Sequence, residues 1–211
     1  MKLDYKYMLF NIQEALITHI SPSLRAVMLD FDQGQNLFAL RFIYHGEMTD
    51  KLFDLMSCIV AEIDSEDIKT ELIRVDEPAN IPIQGRLLYL RKEAIPTVYE
   101  QKSPVQFVNE STPLVAVLLL GMQGALLGRV TPELRRVTIK VDENLKELDF
   151  YYFYDGEISQ ENFKLSNDAI NEACLLFSRY LINKHILRID FPKKIPLFGD
   201  RVVFARNEDD F

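Results

Sequence analysis

Two tandem α+β units, each running α-β-β-α-β-β, are the architecture expected of this 211-residue chain. Each unit should be a mainly antiparallel four-stranded sheet with two helices on one face. Three observations lead there. Ala15 to Thr49 (ALITHISPSLRAVMLDFDQGQNLFALRFIYHGEMT) aligns without a gap on Ala125 to Ser159 (ALLGRVTPELRRVTIKVDENLKELDFYYFYDGEIS), at a constant offset of 110 residues. Within each copy, apolar steps of three and four give way to strand alternation around a turn, then return to helical spacing. The length suits two small domains as readily as one large one. The expected boundaries are 1–93 for the first unit, 94–111 for a linker and 112–211 for the second.

The first helix rests on Met8, Leu9, Ile12, Leu16 and Ile20, spaced by three and four. Pro22 stops it, because the residue before a proline avoids helical angles. Ala26–Asp32 and Asn36–Tyr44 flank Asp32-Gln33-Gly34-Gln35, an Asp/Gly turn, and form a hairpin. Phe38, Leu40, Phe42 and Tyr44 place the bulkier side chains of the second strand on one face. His45-Gly46 closes that strand, Thr49 caps the next helix, and Asp50 stands in its first turn where the helix dipole favours an acid. That helix has Leu52, Phe53, Leu55, Met56, Ile59, Val60 and Ile63 on its apolar side. Strands at 70–76 and 86–92, separated by a proline-bounded loop, complete the unit.

The second copy repeats the order. Leu114–Leu127 is the helix, with Gly121, Gly124 and Gly128 permitting close helix packing. Its apolar residues cover more than one face, so burial on both sides is expected. Arg136–Asp142 and Lys146–Tyr154 form the hairpin, Ser159 caps a helix over Gln160–Tyr180, and Ile186–Asp190 and Val202–Arg206 are the last strands. After the second helix the register slips by four: Arg74-Val75-Asp76 meets Arg188-Ile189-Asp190, and Gly85 meets Gly199. An insertion of four residues, about one helical turn, lengthens the helix or its exit. The connecting stretch AIPTVYEQKSPVQFVNES has two prolines and polar spacing, as an extended linker does.

Composition narrows the function classes. A formal net charge of −8 repels phosphate backbones, which argues against nucleic acid and makes a basic partner the more natural one. The most apolar run, Leu114–Leu127, is shorter than the ~20 residues a spanning helix needs. No signal peptide is recognisable, and Cys58 and Cys174, unmatched across the repeat, read as buried free thiols. A cytoplasmic protein without membrane partners follows. His19, His45 and His185 lack metal-ligand spacing, and neither a phosphate-binding glycine loop nor a nucleophile elbow is present. No catalytic residue, metal or cofactor is assigned.

What remains is charge. The strand–helix elbows Tyr44-His45-Gly46-Glu47-Met48-Thr49 and Tyr154-Asp155-Gly156-Glu157-Ile158-Ser159 need glycine for backbone angles and a hydroxyl for capping. Glu47, Asp155 and Glu157 exceed that need in part, and are candidates for contacting a partner. Asp64, Glu66, Asp67 and Glu71 form a denser acidic group past a helix C-terminus, where the dipole disfavours acids. Either they are a solvated end or they dock a cationic partner. Arg74/Asp76 and Arg188/Asp190 read as a cross-strand ion pair or a loop tether, and Leu24-Arg25 and Leu134-Arg135 likewise.

Two stretches carry a resemblance. Gly128-Arg129-Val130-Thr131-Pro132, Leu134-Arg135 and Phe153 through Ser159 form the first. Leu187-Arg188-Ile189-Asp190-Phe191-Pro192, Ile195-Pro196 and Gly199 form the second. Together they resemble a family of small bacterial immunity proteins, encoded beside polymorphic and contact-dependent growth-inhibition toxins. The first copy departs where His45 replaces the acid of Asp-Gly-Glu and Glu77 stands at an aromatic position. The resemblance implies a non-enzymatic protein that binds and neutralises a cognate toxin, basic by the charge argument, with a nuclease as one such class. A small-molecule or regulatory binding module using a cleft between the repeats is the alternative.

Overall fold

The computed structural model describes residues 5–17, 19–32, 37–63, 68–94 and 114–208. The chain divides into two compact units, the first reaching residue 101 and the second running from residue 102 to Arg206, with Asn207 onward belonging to the first. The first unit contains α1 (Tyr5–Leu16), β1 (Leu24–Asp32), β2 (Leu37–Tyr44), α2 (Asp50–Ile63), β3 (Ile68–Arg74) and β4 (Arg86–Leu90). The second contains α3 (Leu114–Leu126), β5 (Leu134–Asp142), β6 (Glu147–Tyr154), α4 (Gln160–Ala173), β7 (Leu181–Arg188) and β8 (Arg201–Ala205). The α-β-β-α-β-β order is therefore present twice.

Each sheet has four strands, ordered β3-β2-β1-β4 and β7-β6-β5-β8. The hairpin pairs and the β1–β4 and β5–β8 pairs are antiparallel. The β2–β3 and β6–β7 pairs are parallel. Those edge strands are reached through a crossover helix, and a crossover returns the chain in the same direction. The mainly antiparallel α+β fold expected from the pattern is what forms.

Alternation fixes which side of each sheet meets the helices. Phe38, Leu40 and Phe42 of β2, with Val27 and Leu29 of β1, are buried, as are Leu148, Phe150, Tyr152, Val137 and Ile139 of the second unit. α1 contributes Met8, Ile12, Ala15 and Leu16, and α2 contributes Leu52, Met56, Ile59 and Ile63. Each large apolar side chain so buried is worth roughly 1.5–3 kcal/mol. The second core uses the same positions with different chemistry. Asn162 and Ser166 replace Leu52 and Met56, and the Tyr154 hydroxyl lies 2.7 Å from Ser166 Oγ, which also donates to Asn162 O at 2.9 Å. Tyr152, at the position of Phe42, has no hydrogen-bond partner for its buried hydroxyl among the described residues. A buried polar group without a partner costs about 1–3 kcal/mol. Tyr152→Phe should therefore raise stability by about 1 kcal/mol in urea melts, with no gain meaning that the hydroxyl is satisfied.

Several expectations change. α4 ends at Ala173, where α2 ends at Ile63, and does not reach Tyr180. The four inserted residues lengthen the exit, through a 3₁₀ turn at Cys174–Leu176. Phe177 is buried there and meets the Tyr180 ring edge-on at 5.9 Å, while Leu175 is 76% exposed. The apolar run thus packs an exit around one anchor. Cys58 is exposed and Cys174 half-buried, where burial is expected of both. Phe53, expected on the apolar side of α2, is exposed because it lies off the face that Leu52, Met56, Ile59 and Ile63 turn to the core. Gly128 lies beyond α3 at φ 69°, a helix-ending conformation, and is no part of the helix. Gly121 does face α4: a Cβ there would meet Ala173 at 3.6 Å. α3 buries Leu118, Met122, Gly124, Ala125 and Leu126, and its remaining residues are half-buried. The linker at 94–111 lies outside the described residues from 95 onward.

Candidate partner-binding surface

The strand–helix elbows and the Arg-x-Asp motifs, separate in sequence, form one structure in each unit. Gly46 turns the chain at φ 81° and its N–H donates to Asp76 Oδ1 at 2.7 Å. Arg74 Nε donates to the same carboxylate at 2.8 Å. Gly156, at φ 72°, donates to Asp190 Oδ1 at 2.9 Å, and Arg188 Nε donates to that oxygen at 2.8 Å. The Gly46 N–H, then the Arg74 guanidinium, hold Asp76 below the usual carboxylate range. For Asp190 the Arg188 bond comes first and the Gly156 N–H second. The aspartate following the edge strand therefore pins the elbow. The hydroxyl caps form as the sequence implies: Leu52 N–H donates to Thr49 Oγ1 at 3.1 Å, and Asn162 N–H to Ser159 Oγ at 3.0 Å.

Beneath each elbow lies a buried arginine. The β1–β2 register shifts between Leu24 and Ala26, and the β5–β6 register between Leu134 and Arg136. Such bulges re-aim one side chain. Arg25 and Arg135 are each 1% exposed. Arg25 Nη1 donates to Val75 O at 2.8 Å and Ala79 O at 3.0 Å. Arg135 donates to Ile189 O and, at 3.0 Å, to Lys193 O. These carbonyls belong to the proline loop after each edge strand. Arg25 and Arg135 are thus loop tethers, whereas Arg74–Asp76 and Arg188–Asp190 are pairs within one strand end.

A second arginine pair has no sequence signal at the repeat offset, because Arg91 and Arg206 are 115 residues apart, one more than the 114 that separate Gly85 and Gly199. Arg91 N–H donates to Arg25 O at 2.9 Å, and Arg206 N–H to Arg135 O at 2.8 Å. Their side chains donate to the carbonyls of Pro22 and Pro132. In the second unit Arg206 Nη2 also reaches Asp155 Oδ2 at 3.4 Å. In the first unit His45 occupies the position of Asp155, and Arg91 pairs instead with Glu77 and Glu93. Phe191 stands where Glu77 does and lies over Arg135, 5.8 Å from Cζ to ring centre. The acid facing this arginine has therefore moved from the elbow to the loop. His45 Nε2 sits 3.5 Å from Arg91 Nη1, and burial, then the Arg91 charge, push the imidazole below its ordinary value. A neutral His45 can accept from Arg91, so the first unit's two departures compensate each other.

The predicted partner-binding acids separate into three groups. Glu47 and Glu157 are exposed on the rigid elbows. Asp155 is engaged, accepting from Phe191 N–H at 3.0 Å as well as from Arg206. Glu71 is engaged on the outer face of the first sheet, with Arg41 at 2.7 Å and Lys69 at 2.9 Å, and Arg41 also meets Asp30 at 3.3 Å. The Lys69 bond first, then Arg41, hold Glu71 below its ordinary value. Asp64, Glu66 and Asp67 lie outside the described residues.

The same outer face in the second unit is aromatic. Tyr151 replaces Arg41 and stacks between His185 and Phe198, with ring centres 4.5 and 5.5 Å away. His185 Nε2 lies 3.1 Å from Asp149 Oδ1. Strand propensity reveals such rings, but not that an ion network in one copy becomes a ring stack in the other.

A family model described as MafI2 immunity protein matches the sequence twice, over residues 5–93 and over residues 116–208. A search of curated proteins finds no match.

Proposed function

The chain belongs to the MafI2 immunity protein family, and from that membership we propose that it binds a cognate toxin domain in the cytoplasm and blocks it without catalysis. The double family match carries this reading, since each unit separately has the family's pattern. Among the described residues no helix is long and apolar enough to cross a membrane, and no three His, Cys, Asp or Glu side chains converge as a metal site requires. The partner is cationic: a net charge of −8 favours it, and a toxin that handles nucleic acid has a basic cleft for carboxylates to fill. Glu47 and Glu157 make first contact, and Asp64, Glu66 and Asp67 add to the field of the first unit, whereas Glu71 is neutralised by Arg41 and Lys69. Asp155 holds the second elbow in shape.

Such steering shows in the association rate and fades with salt, as screening shortens to ~8 Å at physiological strength. With the product of the adjacent gene as the candidate toxin, Glu47→Lys with Glu157→Lys should slow association by about tenfold at low salt. The thermal melt should stay put, because both side chains are exposed. An unchanged rate and salt slope would remove these acids from the interface. Failure of the wild-type chain to bind or protect against that toxin would remove the immunity reading itself.

A further inference from the structure

We infer that each unit docks its partner through an exposed phenylalanine in the first turn of its second helix, Phe53 on α2 and Phe163 on α4, with the neighbouring acids as its rim. The inference rests on the toxin-binding reading and names the contact within it. Phe53 is 52% exposed and Phe163 56%. A single exposed apolar side chain is ordinary. Two at one repeat position, similarly exposed, are not explained by packing.

The neighbours make the contrast. At the offset of 110, Asp50 faces Gln160, Asp54 faces Lys164, Ser57 faces Asn167 and Cys58 faces Asp168. Among the exposed residues of α2, Phe53 and Glu62 keep their identity in α4 and the others change. Buried positions changed too, Leu52 to Asn162 and Met56 to Ser166, so general constraint on the helix does not account for it. Local structure holds the ring on a rigid mount. Phe53 N–H donates to Thr49 O and Phe163 N–H to Ser159 O, each at 3.0 Å, in the turn that the Thr49 and Ser159 side chains cap. Gly46 and Gly156, tied to Asp76 and Asp190, fix the approach to that turn.

Charge identifies the occupant. Phe53 lies among exposed Glu47, Asp50 and Asp54, with Lys51 the one opposing charge along this stretch. Phe163 follows exposed Glu157 and Glu161, with Lys164 next and half-buried Asp168 one turn on. Along the sequence both stretches are net negative about the ring, the second less so, since Lys184 Nζ donates to Asn167 Oδ1 at 3.1 Å one turn beyond Phe163. The fitting surface is a protein pocket, apolar inside and rimmed by Lys or Arg, on the cationic toxin. An aromatic anchor supplies desolvated contact while the rim steers and orients, the division of labour found at interface hot spots.

The test uses the 211-residue chain and the product of the adjacent gene as the candidate toxin, with affinity and stoichiometry by calorimetry and the chain's own mass by sedimentation. Phe53→Ala and Phe163→Ala should each weaken binding at least tenfold, and the pair further, with the melting temperature held. Phe→Leu at either site should restore most of the loss, since an apolar anchor returns. A double alanine variant within twofold of wild type, while wild type binds, overturns the inference and leaves the toxin reading standing. A loss confined to one of the two positions overturns the paired epitope. If the double variant instead changes the mass of the chain alone, the rings serve contacts between copies and the inference fails. No binding by wild type overturns the toxin reading and this inference together.

Discussion

Arg135→Leu should cost the second unit about 3 kcal/mol or more, and Arg25→Leu should do the same to the first. Each guanidinium is buried and holds two loop carbonyls, Ile189 O and Lys193 O in one unit, Val75 O and Ala79 O in the other. A hydrogen bond to a charged group is worth about 1.5–3 kcal/mol, and a leucine would leave two carbonyls facing an apolar side chain. Burial lowers the Arg25 value and Asp76 opposes that shift, so the nearby carboxylate is the countercharge that makes burial tolerable. Arg135→Lys separates charge from geometry. An ammonium on a flexible stem keeps the charge but not the planar fork that spans both carbonyls, so it should recover part of the loss. Urea melts read the difference, and a loss below about 1 kcal/mol for leucine would mean that the loop is held without the arginine. The effect should extend to binding, because the loop carries into the aspartate that pins the elbow.

Much of this scaffold was legible from residue order. Apolar period located both helices of each unit, alternation located the hairpins, and the hydroxyls at Thr49 and Ser159 located the caps, because all three are local. The gapless repeat carried the first reading onto the second copy and placed the insertion between α4 and β7, though not in the exit rather than the helix. The buried arginines were legible only in part. A bulge is a relation between two strands, and Leu24-Arg25 or Leu134-Arg135 alone reads equally as an ion pair or a loop tether, with no sign of burial. The exchange of acids was hidden for the same reason: that His45 and Glu77 both serve Arg91, as Asp155 serves Arg206, exists only once the loop, the elbow and the last strand meet. Of the candidate site, the exposure of Glu47 and Glu157 agreed with their position ahead of a cap. Glu71 looked like part of a free acidic run, and only pairing of β2 with β3 sets it against Arg41.

Gly85→Ala and Gly199→Ala should each destabilise by about 2–5 kcal/mol, well beyond the same change at Gly46 or Gly156. All four sit at positive φ, between 72° and 85°. An alanine forced into that region loses roughly 1–2 kcal/mol from clash of Cβ with its own backbone. At Gly46 and Gly156 nothing else stands within 4 Å of the added carbon, so the cost ends there. At Gly85 the Cβ would lie 2.6 Å from Leu29 O, and at Gly199 2.9 Å from Ile139 O and from Thr138 Oγ1. Those oxygens belong to the central strands β1 and β5, which cannot yield without disturbing their pairing, so overpacking adds about 1–3 kcal/mol. The second unit offers a local readout. Asp200 N–H donates to Ile139 O at 2.9 Å and Thr138 Oγ1 donates to Phe198 O, which seats the loop on the sheet and Phe198 against Tyr151. Lifting the loop by the width of a methyl group should unstack that ring. With no tryptophan in the chain, near-ultraviolet circular dichroism of the tyrosines reports it directly. Gly199→Ala should change that signal and lower the urea midpoint together, whereas Gly156→Ala should lower the midpoint by less and leave the ring signal alone. Equal losses at Gly156 and Gly199 would mean that backbone angle alone sets the cost and that the close approach to β5 is relieved.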